Sequence, residues 1–438
     1  MTIFKQNIFY FLFVISFVGI AQSTVGITKA EVLTKVSQSN TALKISEEAF
    51  NEARAEFRQT NAIFLPNVTA SHTAMATTNP LMAFGSKLNQ EILTPMDFDP
   101  ALLNNPSQIE NYATRFEIQQ PLLNVDGLYQ RKAARTKMEA MALQQQRTND
   151  YLILEVDKAY MQLQLAYKAV EVFNKALETA MANKQLADNS FKQGYLQRAD
   201  VLNVEVRVNE VQNQLQTAKS NMENASNYLS FLMNDDDYVI YEPTDDLMVF
   251  ELTSVEALKI SEDRSDIKAM TLTSNSYESM YKANKMQYLP RLNAFGSYEL
   301  HDDKIFQGDA NGYTFGAQLS WNIFEGSKRI GKVQQSRATF EKSKLELEQY
   351  RSQSNLELNK AKRMLLDAKN KLQLTKLALD QSEESLRIRT NRYKEGLEKT
   401  TDLLISEAQY EQKQLEYYQT IFEYNYAQAY LKFLTTNN

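Results

Sequence analysis

Glycine and proline punctuate this 438-residue chain so unevenly that they nearly dictate where helices can run. None of its twelve glycines and eight prolines falls in Leu128–Gln193, Tyr195–Glu242, Lys332–Glu395 or Leu397–Asn438. Those intervals are rich in Ala, Leu, Glu, Lys and Gln, which lose little side-chain freedom in a helix. Some sixty residues rising about 1.5 Å each would make helices about 100 Å long. Within them apolar residues recur in alternating steps of four and three. One series runs from Leu152 through Val156, Ala159, Leu163, Ala166, Val170, Phe173 and Leu177 to Ala180. Others run from Val201 to Leu232 and from Leu358 to Leu386. Such heptad spacing buries a narrow seam against partner helices and leaves the remaining faces to water. Taken alone, it describes a coiled-coil rod.

The breakers gather in two other regions, and there the period changes to two. Val68, Ala70, His72 and Ala74 alternate with Asn67, Thr69, Ser71 and Thr73, and Tyr112, Thr114, Phe116 and Ile118 alternate with Ala113, Arg115, Glu117 and Gln119. Leu292 to Leu300 and Tyr313 to Trp321 repeat the pattern. These spacings predict strands over about 66–75, 112–121, 290–300 and 312–321. Each is about ten residues with one apolar and one polar face, the length and alternation of a transmembrane strand. Phe64, Tyr288, Tyr313, Trp321 and Phe324 stand near strand ends, where an interfacial aromatic girdle would lie.

The chain also repeats itself. Phe64-Leu65-Pro66-Asn67 answers Tyr288-Leu289-Pro290-Arg291. Phe191-Lys192-Gln193-Gly194 with Asp200-Val201-Leu202 answers Tyr393-Lys394-Glu395-Gly396 with Asp402-Leu403-Leu404. Each half reads helix, strand, loop, strand, long helix, short turn, long helix. The first repeat is expected over 22–233 with a helical hairpin at about 127–232. The second is expected over 251–438 with a hairpin at about 327–434, and 234–250 reads as a linker. The loop of the first strand pair is longer by about 25 residues and holds Pro80, Pro95, Pro100 and Pro106, so it reads as exposed. Four strands are too few to close a membrane barrel, which needs at least about eight. An open sheet in lipid leaves unpaired edge groups, each costing several kcal/mol. The sheet must therefore close with other copies: three supply twelve strands, two supply eight.

Composition narrows the setting. Lys5 precedes the apolar run Ile8–Ile20, and Gly19-Ile20-Ala21 puts small residues where a signal peptidase cuts, so residues 1–21 read as a secretory signal. With no cysteine, the chain has no disulfide, no thiolate metal site and no lipid-bearing cysteine. A net charge of −6 with two histidines argues against a nucleic-acid partner.

The signal, the duplicated strand pairs and hairpins, and the two Gly-x₅-Asp turns, Gly194 to Asp200 and Gly396 to Asp402, together resemble the TolC-like outer membrane efflux protein family. The resemblance covers nearly the whole chain after the signal. It implies a mainly helical protein with a membrane β-barrel: a homotrimer sharing one 12-stranded barrel and a periplasmic α-helical tunnel. It further implies an outer-membrane channel, surrounded by outer-membrane lipid, that receives substrates from a periplasmic adaptor protein and an inner-membrane transporter. The two glycine turns, Gly194 and Gly396, would form the adaptor-docking tip. Asp402 would be the aspartate ringing the aperture, Asp200 its counterpart on the first hairpin, and Tyr393 the tyrosine that holds the closed state. Two positions depart from the family pattern: Ile405 stands where a second aspartate is expected, and Glu398 where an arginine is expected. The closing latch is therefore absent here or built differently.

Plainer readings stand beside these. Asp402 suits a helix N-terminus, where it would accept bonds from first-turn amides. Gly194 and Gly396 serve any tight turn. His301-Asp302-Asp303 could take a cation but reads more simply as an exposed loop, and Asp235-Asp236-Asp237 as a solvated turn. No P-loop, dinucleotide fingerprint or catalytic triad pattern is present, so no enzyme, cofactor or metal site is expected. The rival function is a periplasmic coiled-coil scaffold or adaptor with a small soluble β-domain. It would share the heptads but would not need alternation in both strand pairs. Drugs, metals and proteins are not separable as exported substrates, because substrate choice would rest largely with the transporter.

Overall fold

A computed structural model describes residues 24–235, 239–250 and 259–435. The expected signal at 1–21, together with Asp236 and Asp237, lies outside the described residues. The elements in chain order are β1 (Thr24–Ile27), α1 (Lys29–Ser39), α2 (Thr41–Gln59), β2 (Asn67–Thr77), α3 (Pro80–Asn89), α4 (Pro100–Asn104), β3 (Ile109–Leu123), α5 (Val125–Lys192), α6 (Arg198–Met233), β4 (Ile240–Pro243), α7 (Ser265–Met286), β5 (Arg291–Asp302), β6 (Ala310–Ser320), α8 (Lys328–Lys394) and α9 (Thr400–Thr435). The fold is mainly helical and repeats itself, α2–β2–β3–α5–α6 answering α7–β5–β6–α8–α9. The chain falls into two compact units.

The first unit, Ala42–Asp150 with Glu256–Lys360 and Phe433–Asn438, holds the sheet. Its order is β2-β3-β5-β6 and every pair is antiparallel. The central β3–β5 pairing joins the two repeats, and β2 and β6 are left with one neighbour each. Facing partners share a side of a sheet, so the register sorts the faces. Ala70, Phe116, Tyr298 and Tyr313 form one cross-strand row, and Val68, Ile118, Gly296 and Phe315 the next. This apolar face is open: Tyr313 is 74% and Phe315 78% exposed. The opposite face carries Arg115, whose guanidinium lies 3.7 Å from Glu117 and 3.3 Å from Glu299. β3 outruns the expected 112–121 at both ends. Its far end survives Pro121, which lacks an N–H, through a register shift between Pro121 and Leu123.

The loop between β2 and β3 is exposed over most of its length, Pro80, Pro95 and Pro100 included, and the structure adds that it is built of short helices. Pro80 and Pro100 open the helices α3 and α4, capped by Asn79 and Asp99, and Pro95 opens a short 3₁₀ turn. Proline breaks a helix in its interior but suits its first position, where the N–H would be unpaired anyway. Gln90 then fastens the segment to the sheet, donating to Asn111 Oδ1 at 2.9 Å and to the Glu110 carbonyl at 2.8 Å. Asn111 lies on the face of Arg115, so α3 folds over the polar side of the sheet. The reading of His301 and Asp302 as an exposed loop is corrected, while Asp303 is exposed as expected. The first two end β5 and are buried, His301 9% exposed, and Asp302 accepts the N–H groups of Lys304 at 2.9 Å and Asp309 at 3.1 Å. The strand-to-helix junctions of this unit are pinned as well. Arg291 holds the buried Asp126 in the first turn of α5, and Trp321 Nε1 donates to the Tyr288 carbonyl at 2.9 Å.

The second unit, Met1–Thr41 with Tyr151–Val255 and Ala361–Lys432, is built on the long helices. α5 and α8 run 68 and 67 residues, α6 and α9 36 each. The expected seams are buried at Leu152, Val156, Ala159 and Leu163 of α5, at Val201, Val204, Val211 and Leu215 of α6, and at Ala361, Leu365 and Ala368 of α8. Further along α5 the buried line moves to Val172, Ala176 and Ala180, leaving Phe173 and Leu177 half-buried. A straight helix drifts about 20° per heptad against a 3.5-residue repeat, which moves the seam sideways. Within the stretch read as a linker, β4 pairs in parallel with β1, Thr24 opposite Ile240, and buries Ile27 and Tyr241. Asp235 is not a bare solvated turn, since it accepts from Lys35 Nζ at 3.2 Å and Tyr241 Oη at 2.6 Å.

Candidate helical tip

Both long helices end in the same backbone device. Gly194 has φ +80° and Gly396 φ +71°, left-handed values that a side chain resists. The Gly194 N–H donates to the Phe191 carbonyl at 2.9 Å and that of Tyr195 to Ser190 at 2.8 Å. The Gly396 N–H donates to Tyr393 at 3.0 Å and that of Leu397 to Arg392 at 2.9 Å. These paired bonds satisfy carbonyls the helix leaves open, and the glycine lets the chain reverse. A Cβ at either glycine would meet nothing within 4 Å, so the space around both turns is open.

After each turn the next helix starts with an aspartate at its third position. Asp200 reaches back to accept the Gln197 N–H at 3.3 Å, the acidic half of a capping box. Asp402 stands at the matching place in the first turn of α9, favourable for a carboxylate. Among the described residues, its carboxylate has no hydrogen-bond partner. Tyr393 lies half-buried at the end of α8 and takes part through its carbonyl, and its side chain bonds to neither aspartate. Within one chain, then, the structure makes the glycines and the aspartates equivalent in pairs and leaves Tyr393 apart from Asp200 and Asp402.

The two departures from the family pattern have distinct outcomes. Ile405 is exposed. Glu398 binds two cations of its own hairpin, Arg389 and Arg392, each at 2.9 Å. The arginine expected at 398 is thus replaced by a carboxylate, with the cations supplied from α8.

A second charged group near the turns escaped the sequence reading. Glu407 and Glu411 of α9, Arg207 of α6 and Asn183 of α5 meet in a cluster with Glu407 and Arg207 buried and Glu411 and Asn183 half-buried, where Arg207 bonds Glu411 and Asn183 donates to Glu407. Burial and the charge of Glu411 push the Glu407 carboxyl up to about 7. The available signal was Glu407 falling four residues after Leu403, on the apolar face of α9, where a heptad admits few charges.

Among the described residues, no three His, Cys, Asp or Glu side chains are placed to hold a metal, and no helix is long and apolar enough to cross a membrane. No curated protein sequence matches the chain at a significant level. Solved structures do. A membrane protein from Pseudomonas aeruginosa superposes with a TM-score of 0.81 at 16% identity, covering 93% of each chain. The CmeC outer membrane channel of Campylobacter jejuni gives 0.78 at 16%, covering 93% of this chain and 85% of its own. The outer membrane protein VceC of Vibrio cholerae gives 0.77 at 15%, covering 94% and 96%. At such identities the likeness speaks for the fold. The family profile described as outer membrane efflux protein matches residues 32–235 and 259–435, one stretch in each repeat. On that match and the repeated architecture, the chain belongs to the outer membrane efflux protein family.

Proposed function

We propose that this outer-membrane protein is the exit duct of a tripartite export system. Three copies share a 12-stranded barrel in the outer-membrane lipid and a periplasmic tunnel of long helices. Substrates enter from an inner-membrane transporter through a periplasmic adaptor docked at the Gly194 and Gly396 turns. The observation that carries this reading is the four-stranded sheet, whose β2 and β6 edges have no further neighbour among the described residues and whose apolar face is open. Unpaired edges and apolar side chains are tolerated together only if other copies close the sheet and lipid covers it. A soluble scaffold would gain nothing from exposing Tyr313 and Phe315. Asp402, with an unpaired carboxylate beside an open turn, is the residue best placed to line an aperture around a three-fold axis, with Asp200 as its partner on the first hairpin. Tyr393 would act between copies rather than within one.

Native mass measurement of the protein in detergent tests the assembly, with a trimer expected. A monomer stable in plain buffer would return the scaffold reading to first place.

A further inference from the structure

The cluster on α9 has no part in conduction or docking as described, yet its charges do not balance. Glu407 is 3% exposed and Glu411 lies one turn on along the same helix. Among the described residues, a single cation serves both. Arg207 of α6 bonds Glu411, has Glu210 of its own helix at 3.8 Å, and keeps a buried Nε without a partner. From α5, Glu407 receives only the neutral amide of Asn183, while the neighbouring Lys184 is drawn to Glu205 at 3.9 Å. On α8, Glu383 and Lys376 act on Tyr410 instead.

We propose that Glu407 is a proton-operated clasp: neutral, it holds the start of α9 against α5 and α6, and ionised, it loosens that contact. The neutral carboxyl keeps the Asn183 bond without placing a second anion beside Glu411. The ionised form must share Arg207 or move towards water, which draws the first turns of α9 outward. The carboxyl titrates about 7 when clasped, against 4.5 as its ordinary value. A raised carboxyl stabilises the clasped form fully below about 4.5. That contribution declines as pH rises towards 7 and is gone above it. Acid therefore tightens the hairpin contact and neutral pH relaxes it. Glu407 stands five residues after Asp402, so under the duct reading of the preceding section relaxation would also widen the aperture.

The test uses the purified full-length protein in detergent and compares amide hydrogen exchange over residues 400–412 at pH 5.5 and 8, corrected for intrinsic exchange. We expect wild-type protection to fall by on the order of tenfold or more between the two. Glu407→Gln should keep the acid level at both pH values, and Glu205→Gln, at the equivalent place in the first repeat, should follow the wild type. Equal corrected protection of the wild type at both pH values, or a Glu407→Gln profile that falls with the wild type, overturns the clasp. If Glu407→Gln fails to assemble, the wild-type comparison decides alone. Planar-bilayer conductance separates the two readings. An exchange shift with pH-independent conductance retains the clasp and rejects its action on the aperture, and absence of any conductance rejects the duct.

Discussion

The two hairpin tips share one backbone and differ in what holds it. At a constant spacing, Gly194 corresponds to Gly396, Asp200 to Asp402 and Glu205 to Glu407. The first tip relies on its glycine turn and the Asp200 capping bond, and Glu205 stays within loose reach of Lys184 and Arg198 at 3.9 and 4.0 Å. The second carries bound charge at two places where the first has none. Leu196 becomes Glu398 bound to two arginines, and Asn209 becomes Glu411 bound to Arg207. Duplication supplied two copies of one turn, and substitution made the second an electrostatic device. The backbone therefore sets the turn, and the side chains decide whether it is held by more than the backbone.

That contrast makes four measurable claims. The largest effect is expected at Arg207, whose removal leaves the half-buried Glu411 and the buried Glu407 without a cation. Arg207→Ala should cost about 3 kcal/mol of local stability, a roughly hundredfold loss of exchange protection around residues 407–411. Gln409→Ala, at the corresponding place on α9, should cost under about 0.5 kcal/mol. Equal losses in the two would erase the asymmetry.

The glycines should behave alike, because both have positive φ and open space. Gly194→Ala and Gly396→Ala are each expected to cost about 1 kcal/mol in the same exchange measurement. Gly194→Trp with Gly396→Trp should abolish export in cells while the trimer still assembles. Full export by that double variant would remove the docking role from the tip.

Smaller still is the Glu398 contact, which is partly exposed. Glu398→Gln should lower protection of residues 394–400 by about 0.5–1 kcal/mol. Leu196→Gln on the first tip should leave its protection unchanged. The smallest stability effect is predicted for Asp402→Asn, under about 0.5 kcal/mol, since Asn lacks only the charge. Its readout is selectivity: in the proposed trimer three carboxylates around a narrow axis would favour cations, so the variant should reduce cation preference in planar bilayers. With Ile405 in place of a second ring, multivalent-cation block should be modest. Unaltered selectivity in Asp402→Asn, with stability lost in Asp402→Ala, would assign the residue to the helix start alone.

Much of this architecture was legible in the chain itself, for physical reasons. Periods of two and 3.5, absent breakers and the duplicated turns marked the four strands and the long helices, because one side of each must be apolar. The folded β2–β3 loop was not legible, since Pro80 and Pro100 look the same whether they break a helix or begin one. Nor was the β1–β4 pair, whose four-residue strands lie too far apart for any local pattern to link them. Glu407 and Glu411 were hidden by their type. A glutamate on a helix reads as solvated, and only the packed partners reveal that α5 and α6 cover it. Of the tip, the glycines and aspartates were visible as a repeat. Their position relative to the helix start, third rather than first, required the backbone.

The β1–β4 clip carries a consequence for the order of events during biogenesis. β1 is synthesised about 200 residues before its partner β4. Closing a loop of that length costs about 5 kcal/mol in chain entropy before any contact repays it. Four ladder residues cannot meet that alone, so α5 and α6 must first form their hairpin and carry β4 back to the N-terminal end. The clip should accordingly lock late, as a seal on a finished first repeat, and its absence would mark chains caught with that repeat incomplete.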